Sequence, residues 1–169
     1  MSTDNVLERT DKALDLAAIK AVLAEVPDPE VPVLTLQELG IIRDVEVADG
    51  VIKVTLTPTY MGCPATAAIR KMVSDALIEA GYPEPKLYEQ LYPAWTTDWI
   101  SDEAKEKLRQ YGIAPPNPDS HGCGSSKPKA CPQCGSEDTE LVSQFGSTAC
   151  KSLYRCLECK EPFEYFKCH

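Results

Sequence analysis

The stretch TPTYMGCPATAAIRKMVSDALIEA, residues 57–80, decides how this chain folds. It joins the end of a strand-like run to a long helical pattern, through a loop that contains Pro58 and Gly62. Cys63 stands directly before Pro64, and proline is favoured at the first helical position because its missing N–H would be unpaired there anyway. We therefore predict that Cys63 is the helix N-cap, where the positive end of the helix dipole favours a reactive thiol.

The segments on either side of this stretch predict a small α+β domain. Residues 11–26 carry apolar side chains at helical spacing, which indicates an amphipathic helix. Asp49-Gly50 lies between two alternating apolar runs and is a strong hairpin signal. Residues 85–92 predict a third strand. We expect a three-stranded sheet with packed helices over residues 11–112.

Two shorter helices are predicted by their caps. Thr35-Leu36-Gln37-Glu38 fits a capping box, and Gly40 is placed to end the turn that follows. Ser101 is a suitable N-cap for a second helix, whose first turn is acidic and which ends at Gly112.

The segment PDPEVP, Pro27–Pro32, connects the first helix to the rest of the domain. Its three prolines exclude a helix or a central strand. It carries Asp28 and Glu30, and either carboxylate taken alone is most simply interpreted as part of a solvated connector.

The distribution of charge limits the partners of the chain. The net charge of −9 lies wholly in residues 1–126, because the remainder carries as many basic as acidic side chains. Neither part has the basic excess of a nucleic-acid surface. No stretch is apolar enough for a membrane span, and the N-terminus does not resemble a signal peptide. We expect a cytoplasmic protein, in which eight cysteines indicate metal or redox chemistry rather than disulfides.

The cysteine-rich tail carries two C-x-x-C knuckles, Cys131-Pro-Gln-Cys134 and Cys156-Leu-Glu-Cys159. This spacing predicts one tetrahedral four-thiolate metal site, whose two knuckles are joined by a hairpin. A segment this short builds little core, so the metal supplies folding energy. Zinc is the expected ion, while a single iron or an iron–sulfur cluster uses the same ligands. We predict a zinc-ribbon-like β module over residues 130–169, joined to the first domain by a linker of residues 113–129.

Other ligating side chains lie outside the two knuckles. Cys150 is interpreted either as a reduced, buried small residue or as part of a second thiol cluster with Cys168 and His169 that binds or transfers iron. His121 and Cys123 would extend such a cluster, although their glycine neighbours also suit a flexible linker.

The first domain resembles the MIP18-like family, also known as DUF59, over residues 13–112. The resemblance rests on Asp28-Pro29-Glu30, on Leu39-Gly40-Ile41-Ile42 and on the loop of residues 57–64. Family members are small α+β domains, and many act in iron–sulfur cluster assembly or delivery. The resemblance implies that Cys63 is a functional thiol that handles iron or a cluster, with the Asp-Pro-Glu carboxylates nearby.

The whole chain resembles a narrower family, which joins this domain to a tail that here reads FGSTACKSLYRCLECKEPFEYFKCH, residues 145–169. This is the PaaD family (also PaaJ) of bacterial ring-1,2-phenylacetyl-CoA epoxidase systems. The resemblance implies a non-catalytic accessory factor of phenylacetate degradation, which helps to assemble an iron–sulfur cluster or iron on a client such as the iron–sulfur/flavin reductase. The alternative is a stable structural subunit of the oxygenase complex. The chain could also form a homodimer.

The residues themselves agree with a non-catalytic role. The chain has two histidines and no Glu-x-x-His pair of the kind that builds a di-iron site. It also lacks a dinucleotide-binding glycine motif. Cysteine catalysis normally needs a histidine base, so a thiol enzyme is a weak alternative, and a nucleic-acid-binding ribbon conflicts with the acidic charge.

Overall fold

The structure, a computed structural model, describes residues 13–117 and 127–167. Its helices within these ranges are α1 (Leu16–Ala24), α2 (Thr66–Glu79) and α3 (Asp102–Tyr111), with a 3₁₀ turn at Thr97–Trp99. Its strands are β1 (Ile42–Ala48), β2 (Val51–Leu56), β3 (Lys86–Glu89), β4 (Ile113–Ala114), β5 (Thr139–Ser143), β6 (Lys151–Cys156) and β7 (Pro162–Phe166). The described strands form one sheet of three and one of four.

The first sheet has the order β1-β2-β3 and confirms the predicted three-stranded α+β domain. Strands β1 and β2 are antiparallel and are joined by Asp49 and Gly50, whose φ angles of 53° and 73° are those of a tight hairpin turn. Strand β3 runs parallel to β2, which requires the crossover that α2 supplies. The stretch from β2 through the loop to α2 therefore spans this crossover.

The hydrophobic core lies between this sheet and the helices. Alternate residues of β2 are fully buried, as the sequence pattern predicts, and two helices add their apolar stripes. The main buried side chains are Ile19 and Leu23 of α1, Ile52, Val54 and Leu56 of β2, and Ile69, Val73 and Leu77 of α2. The loop that carries Cys63 is thereby held between two buried elements.

The predicted element boundaries differ from the structure in places. The first helix begins only at Leu16, because the Asp15 side chain accepts a hydrogen bond from the Ala17 N–H and caps it there. Thr35 and Glu38 exchange both hydrogen bonds of a capping box, at 2.9 and 3.2 Å. However, the residues that follow form a turn that stops at Gly40, so the short helix predicted there is wrong.

The second sheet has the order β4-β7-β6-β5 and contains the predicted hairpin of the tail. Strand β4 pairs in parallel with β7, although residues 113–129 were expected to form a linker. Gly112 explains how β4 reaches this position. It ends α3 with a φ angle of 93°, which turns the chain directly into β4.

Two residues of the tail are buried in the core of the first domain. Cys150 and Phe166 belong to the same hydrophobic cluster as Ile69 and Leu39. The Phe166 ring lies 6.1 Å from the Trp95 ring, centroid to centroid, in a tilted arrangement. Trp95 in turn donates from Nε1 to the Leu39 carbonyl at 2.8 Å. The tail is therefore packed against the first domain.

A buried lysine lies where the tail contacts the first domain. Lys151 is only 3% exposed, and its Nζ is 3.1 Å from Glu164 Oε2 and donates to the Glu30 carbonyl at 3.5 Å. A buried ammonium is costly unless it is paired. This lysine therefore links β7, through Glu164, to the Asp-Pro-Glu segment of the first domain.

We expect Glu164→Gln to lower the free energy of unfolding by about 2–4 kcal/mol, because it leaves Lys151 buried without its counter-charge. Glu140→Gln is the matched control in the same sheet. Its partner Arg155 and Glu140 itself are each about half exposed, so the loss should stay below about 1 kcal/mol. Urea unfolding of the metal-loaded chain measures both. Equal losses would contradict a special role of the buried pair.

The same pair predicts a pH dependence. Burial acts to raise the pKa of Glu164, but hydrogen bonds from Ser147 and Lys151 outweigh it and hold the pKa below the ordinary 4.5. A carboxylate with a lowered pKa stabilises the fold above its ordinary pKa, and this contribution is lost as the pH falls through the lowered value. The difference in stability between wild type and Glu164→Gln should therefore stay constant from pH 7 to about pH 5 and shrink only as the pH falls below about 4.5, when both are followed by urea unfolding.

Candidate functional site

The tail contains a metal-binding group of four thiols. The sulfur atoms of Cys131, Cys134, Cys156 and Cys159 all lie within 4.8 Å of one another. Cys131 and Cys159 are 3.8 Å apart, and Cys134 and Cys156 are 3.6 Å apart. A tetrahedron with metal–sulfur bonds of about 2.3 Å places its sulfurs about 3.8 Å apart. The four thiols therefore fit a single tetrahedral metal ion.

Backbone turns position these thiols. In the first knuckle Gly135 donates its N–H to the Cys131 carbonyl at 2.9 Å, with a φ angle of 79° that suits glycine. In the second, burial acts to raise the pKa of Cys156, but hydrogen bonds from the backbone N–H groups of Glu158 and Cys159 outweigh it and lower the pKa to about 6. A thiolate is the form that binds metal.

The structure of the loop before α2 differs from the prediction in the position of Cys63 relative to the helix start. Helix α2 begins at Thr66 with Ala65 at the N-cap, so Cys63 is not the cap, and that prediction is wrong. Cys63 instead closes a turn by donating its N–H to the Tyr60 carbonyl at 3.3 Å. Gly62 takes a φ angle of 77° in this turn. The side chain of Cys63 is buried, with 8% exposed, beside the helix start rather than on it.

Cys63 lines a small cavity that also brings together the two acidic residues predicted nearby. The cavity has a volume of about 20 Å³, and its lining includes Asp28, Glu30, Cys63, Cys150 and Phe166. The first three come from the first domain and the last two from the tail. The cavity therefore lies where the two parts of the chain meet.

Asp28 has a structural function in this arrangement. Its Oδ1 accepts hydrogen bonds from the N–H groups of Glu30 and Val31 at 2.9 and 2.7 Å. These bonds fold the proline-rich segment into a turn. Burial raises the pKa of Asp28 in spite of them. The turn presents the next carboxylate, Glu30, to the cavity.

Glu30 meets the tail directly. The Cys150 thiol donates to Glu30 Oε2 at 3.9 Å, and the Thr148 hydroxyl lies 3.0 Å from the same sulfur. Burial, followed by the charge of Asp28, raises the pKa of Glu30, and burial also raises the pKa of Cys150. At neutral pH Cys150 is therefore a protonated thiol beside a carboxylate, and a protonated thiol is a poor nucleophile.

Tyr60 lies beside Cys63 in the loop before α2. Burial, together with a hydrogen bond to the Cys63 thiol, raises the pKa of Tyr60 to about 12. The phenol therefore stays neutral. Beside it, Met61 is 80% exposed, so the tip of the loop faces solvent while its cysteine is covered.

Some of these residues are predicted by the sequence, and others are not. Cys63, Asp28 and Glu30 share one cavity, and the four knuckle cysteines share one metal-binding group. Cys150 lies against Glu30, a contact that no spacing in the sequence indicated. Its predicted partners Cys168 and His169, and the linker residues His121 and Cys123, lie outside the described residues.

Comparison with known proteins identifies both parts of the chain. Residues 16–84 match the family described as iron-sulfur cluster assembly protein, and residues 115–167 match the PaaD zinc beta ribbon domain. A protein of Escherichia coli K12, provisionally named as the D component of 1,2-phenylacetyl-CoA epoxidase, is 48% identical over 89% of this chain and 91% of its own length. This chain belongs to the PaaD family.

Other relatives of this PaaD-family chain match its first domain. The Fe-S protein maturation auxiliary factor YitW of Bacillus subtilis is 38% identical over 53% of this chain and 89% of its own length. The crystal structure of a DUF59 domain from Bacillus anthracis superposes with a TM-score of 0.50 and 27% identity, over 55% of this chain and 90% of that one. Both agree with the MIP18-like resemblance.

The described helices are short. None of those between residues 13 and 117 or between 127 and 167 is long and apolar enough to cross a bilayer.

We expect Cys134→Ser to remove the tail metal and to lower the thermal midpoint by roughly 10 °C, because the metal holds β5–β7 where little core is available. Gln133→Ala is the control, since it alters an exposed side chain of the same knuckle without removing a thiol. Elemental analysis and a thermal unfolding curve of each variant measure the effect. A serine variant that keeps full metal content would contradict the four-thiolate assignment.

Proposed function

We propose that this chain is an accessory factor of a phenylacetyl-CoA epoxidase system that assists the assembly of iron, or of an iron–sulfur cluster, on a client subunit. The observation that carries the proposal is the cavity where Cys63 lies with Glu30, at the contact between the two parts of the chain. A thiol and a carboxylate in one enclosed place suit brief retention of a metal better than nucleophilic catalysis, which normally needs a histidine base.

The relatives support this function from two directions. The relative that covers nearly the whole chain is named as a component of an epoxidase, and the relative that covers the first domain is named as an Fe-S protein maturation auxiliary factor. A chain that joins a maturation-factor domain to an epoxidase-type tail is suited to carry out Fe-S maturation for the epoxidase system. We propose the iron–sulfur/flavin reductase as the client, because it carries the cluster that would need assembly.

The tail has a separate function in this proposal. Its four thiols hold a zinc ion that is structural, because a closed four-thiolate set leaves no open position for a substrate. The ordered tail then packs Cys150 and Phe166 against the first domain. The cysteines of the described residues are free thiols, which suits the reducing cytoplasm, where we place this chain.

The alternative is a stable structural subunit of the oxygenase complex, which is favoured by the name of the Escherichia coli relative as an epoxidase component. The two proposals differ in what they require of Cys63. A structural subunit remains at fixed stoichiometry in the complex and is indifferent to that thiol. A maturation factor binds its client transiently and depends on it.

We expect Cys63→Ser to leave the fold and the tail metal intact but to reduce the cluster content of the co-expressed reductase to the level seen without this chain. Lys71→Gln is the control, because Lys71 is exposed on helix α2, which follows the loop. Iron analysis and the absorption spectrum of the purified reductase provide the measurement. Full maturation by Cys63→Ser, with stoichiometric co-purification of the chain, would replace the proposal with the structural alternative.

A further inference from the structure

The donor groups around Cys63 come from both parts of the chain. Cys63 belongs to the loop before α2, Glu30 to the proline-rich turn, and Cys150 to the tail just before β6. Cys150 is not one of the four knuckle ligands, and it is 3% exposed. A buried thiol could simply fill space, but this one contacts a carboxylate rather than an apolar side chain alone. It therefore adds a second sulfur donor to the cavity.

We propose that Cys150 is the second thiol ligand of the Cys63 site, and that Cys63, Cys150 and Glu30 together hold a single divalent transition-metal ion between the two parts of the chain. This inference rests on the proposed function, because it names what the Cys63 site carries. It also gives the tail a direct part in metal handling, apart from its own four-thiolate centre.

The size of the cavity suits a single ion. A volume of about 20 Å³ accommodates about one water-sized occupant. The site therefore suits a single ferrous ion, or the chemically similar cobalt or zinc ion, as the cargo.

The donor set fits such an ion. Two thiolates and one carboxylate combine soft and hard ligands, which suits borderline divalent metals more than magnesium or calcium. Each thiol loses its proton as its metal–sulfur bond forms, so binding releases protons to solvent. The resulting three negative charges exceed the charge of the ion by one. Lys151, whose ammonium pairs with Glu164 and donates to the Glu30 carbonyl, offsets part of this negative charge at the edge of the site.

The donors need a small rearrangement to converge. Among the described residues, the knuckle cysteines are the group of three or more ligands whose donor atoms all lie within 4.8 Å of one another. Cys150 Sγ and Glu30 Oε2 are already 3.9 Å apart, and in the proposed site Cys63, which lines the same cavity, joins them by rotation of its side chain. A site that must rearrange to bind releases its metal more readily than the preformed tail centre, which suits a carrier.

Cobalt titration of the full-length, zinc-loaded chain tests this inference. Thiolate-bound Co²⁺ has a charge-transfer absorption that grows with the number of cobalt–sulfur bonds. With the tail centre filled by zinc, we expect wild type to bind one Co²⁺ with this absorption. In Cys63→Ser and in Cys150→Ser the absorbance per bound ion should fall to about half, and the Kd should rise at least about tenfold. Glu30→Gln should weaken binding while keeping both sulfur bonds.

Two controls keep the result interpretable. Glu140→Gln removes an exposed carboxylate of strand β5 in the tail, and this variant should bind Co²⁺ as wild type does. Cys150→Ala is a second replacement at the buried position, for the case that serine disturbs the packing. Zinc content and circular dichroism of each variant report whether the fold and the tail centre are intact.

The inference is overturned if wild type binds no Co²⁺ beyond the tail centre, or if both folded Cys150 variants keep the wild-type Kd and absorbance. Either result leaves the proposed function testable by itself, since reductase maturation can still depend on Cys63. Conversely, if Co²⁺ binding follows both cysteines but Cys63→Ser still matures the reductase, the metal site stands and the proposed function fails.

Discussion

The burial of Phe166 and Cys150 in the core of the first domain is the constraint on which the rest of the structure depends. Both residues belong to the tail, yet both pack among side chains of the helices and the first sheet. Lys151 reinforces this contact, because its buried ammonium is held by Glu164 and by the Glu30 carbonyl. A tail docked in this way cannot act as a module on a flexible tether. It forms one wall of the cavity that contains Cys63.

Two different cysteine environments result, and they suit two different tasks. The knuckle thiols are preformed at tetrahedral spacing, which favours a permanently bound ion. Cys63 and Cys150 are buried thiols beside a carboxylate, and they do not converge as tightly. The folded tail places Cys150 against Glu30. A metal at the knuckles would therefore influence the proposed Cys63 site through packing rather than through shared ligands.

Most of the local structure could be predicted because its signals are local. Asp49-Gly50 specified the hairpin, Ser101 and Gly112 bounded α3, and the C-x-x-C spacing specified the four-thiolate group. The errors occurred where tertiary packing overrides local preference. Cys63 precedes the cap of α2 because the chain makes a further turn through Pro64 and Ala65 before the helix begins. Ile113 and Ala114 form a strand because β7 is present to pair with them.

By itself, the sequence determined the α+β first domain, the metal-binding tail and the candidate residues Cys63, Asp28 and Glu30. Periodicity, capping and ligand spacing are properties of neighbouring residues, so they can be interpreted without coordinates. The contact of Cys150 with Glu30, two residues 120 positions apart, was decided by the tertiary structure alone. No local pattern encodes such a contact, because it depends on how β7 pairs with β4 and on where Phe166 finds room in the core.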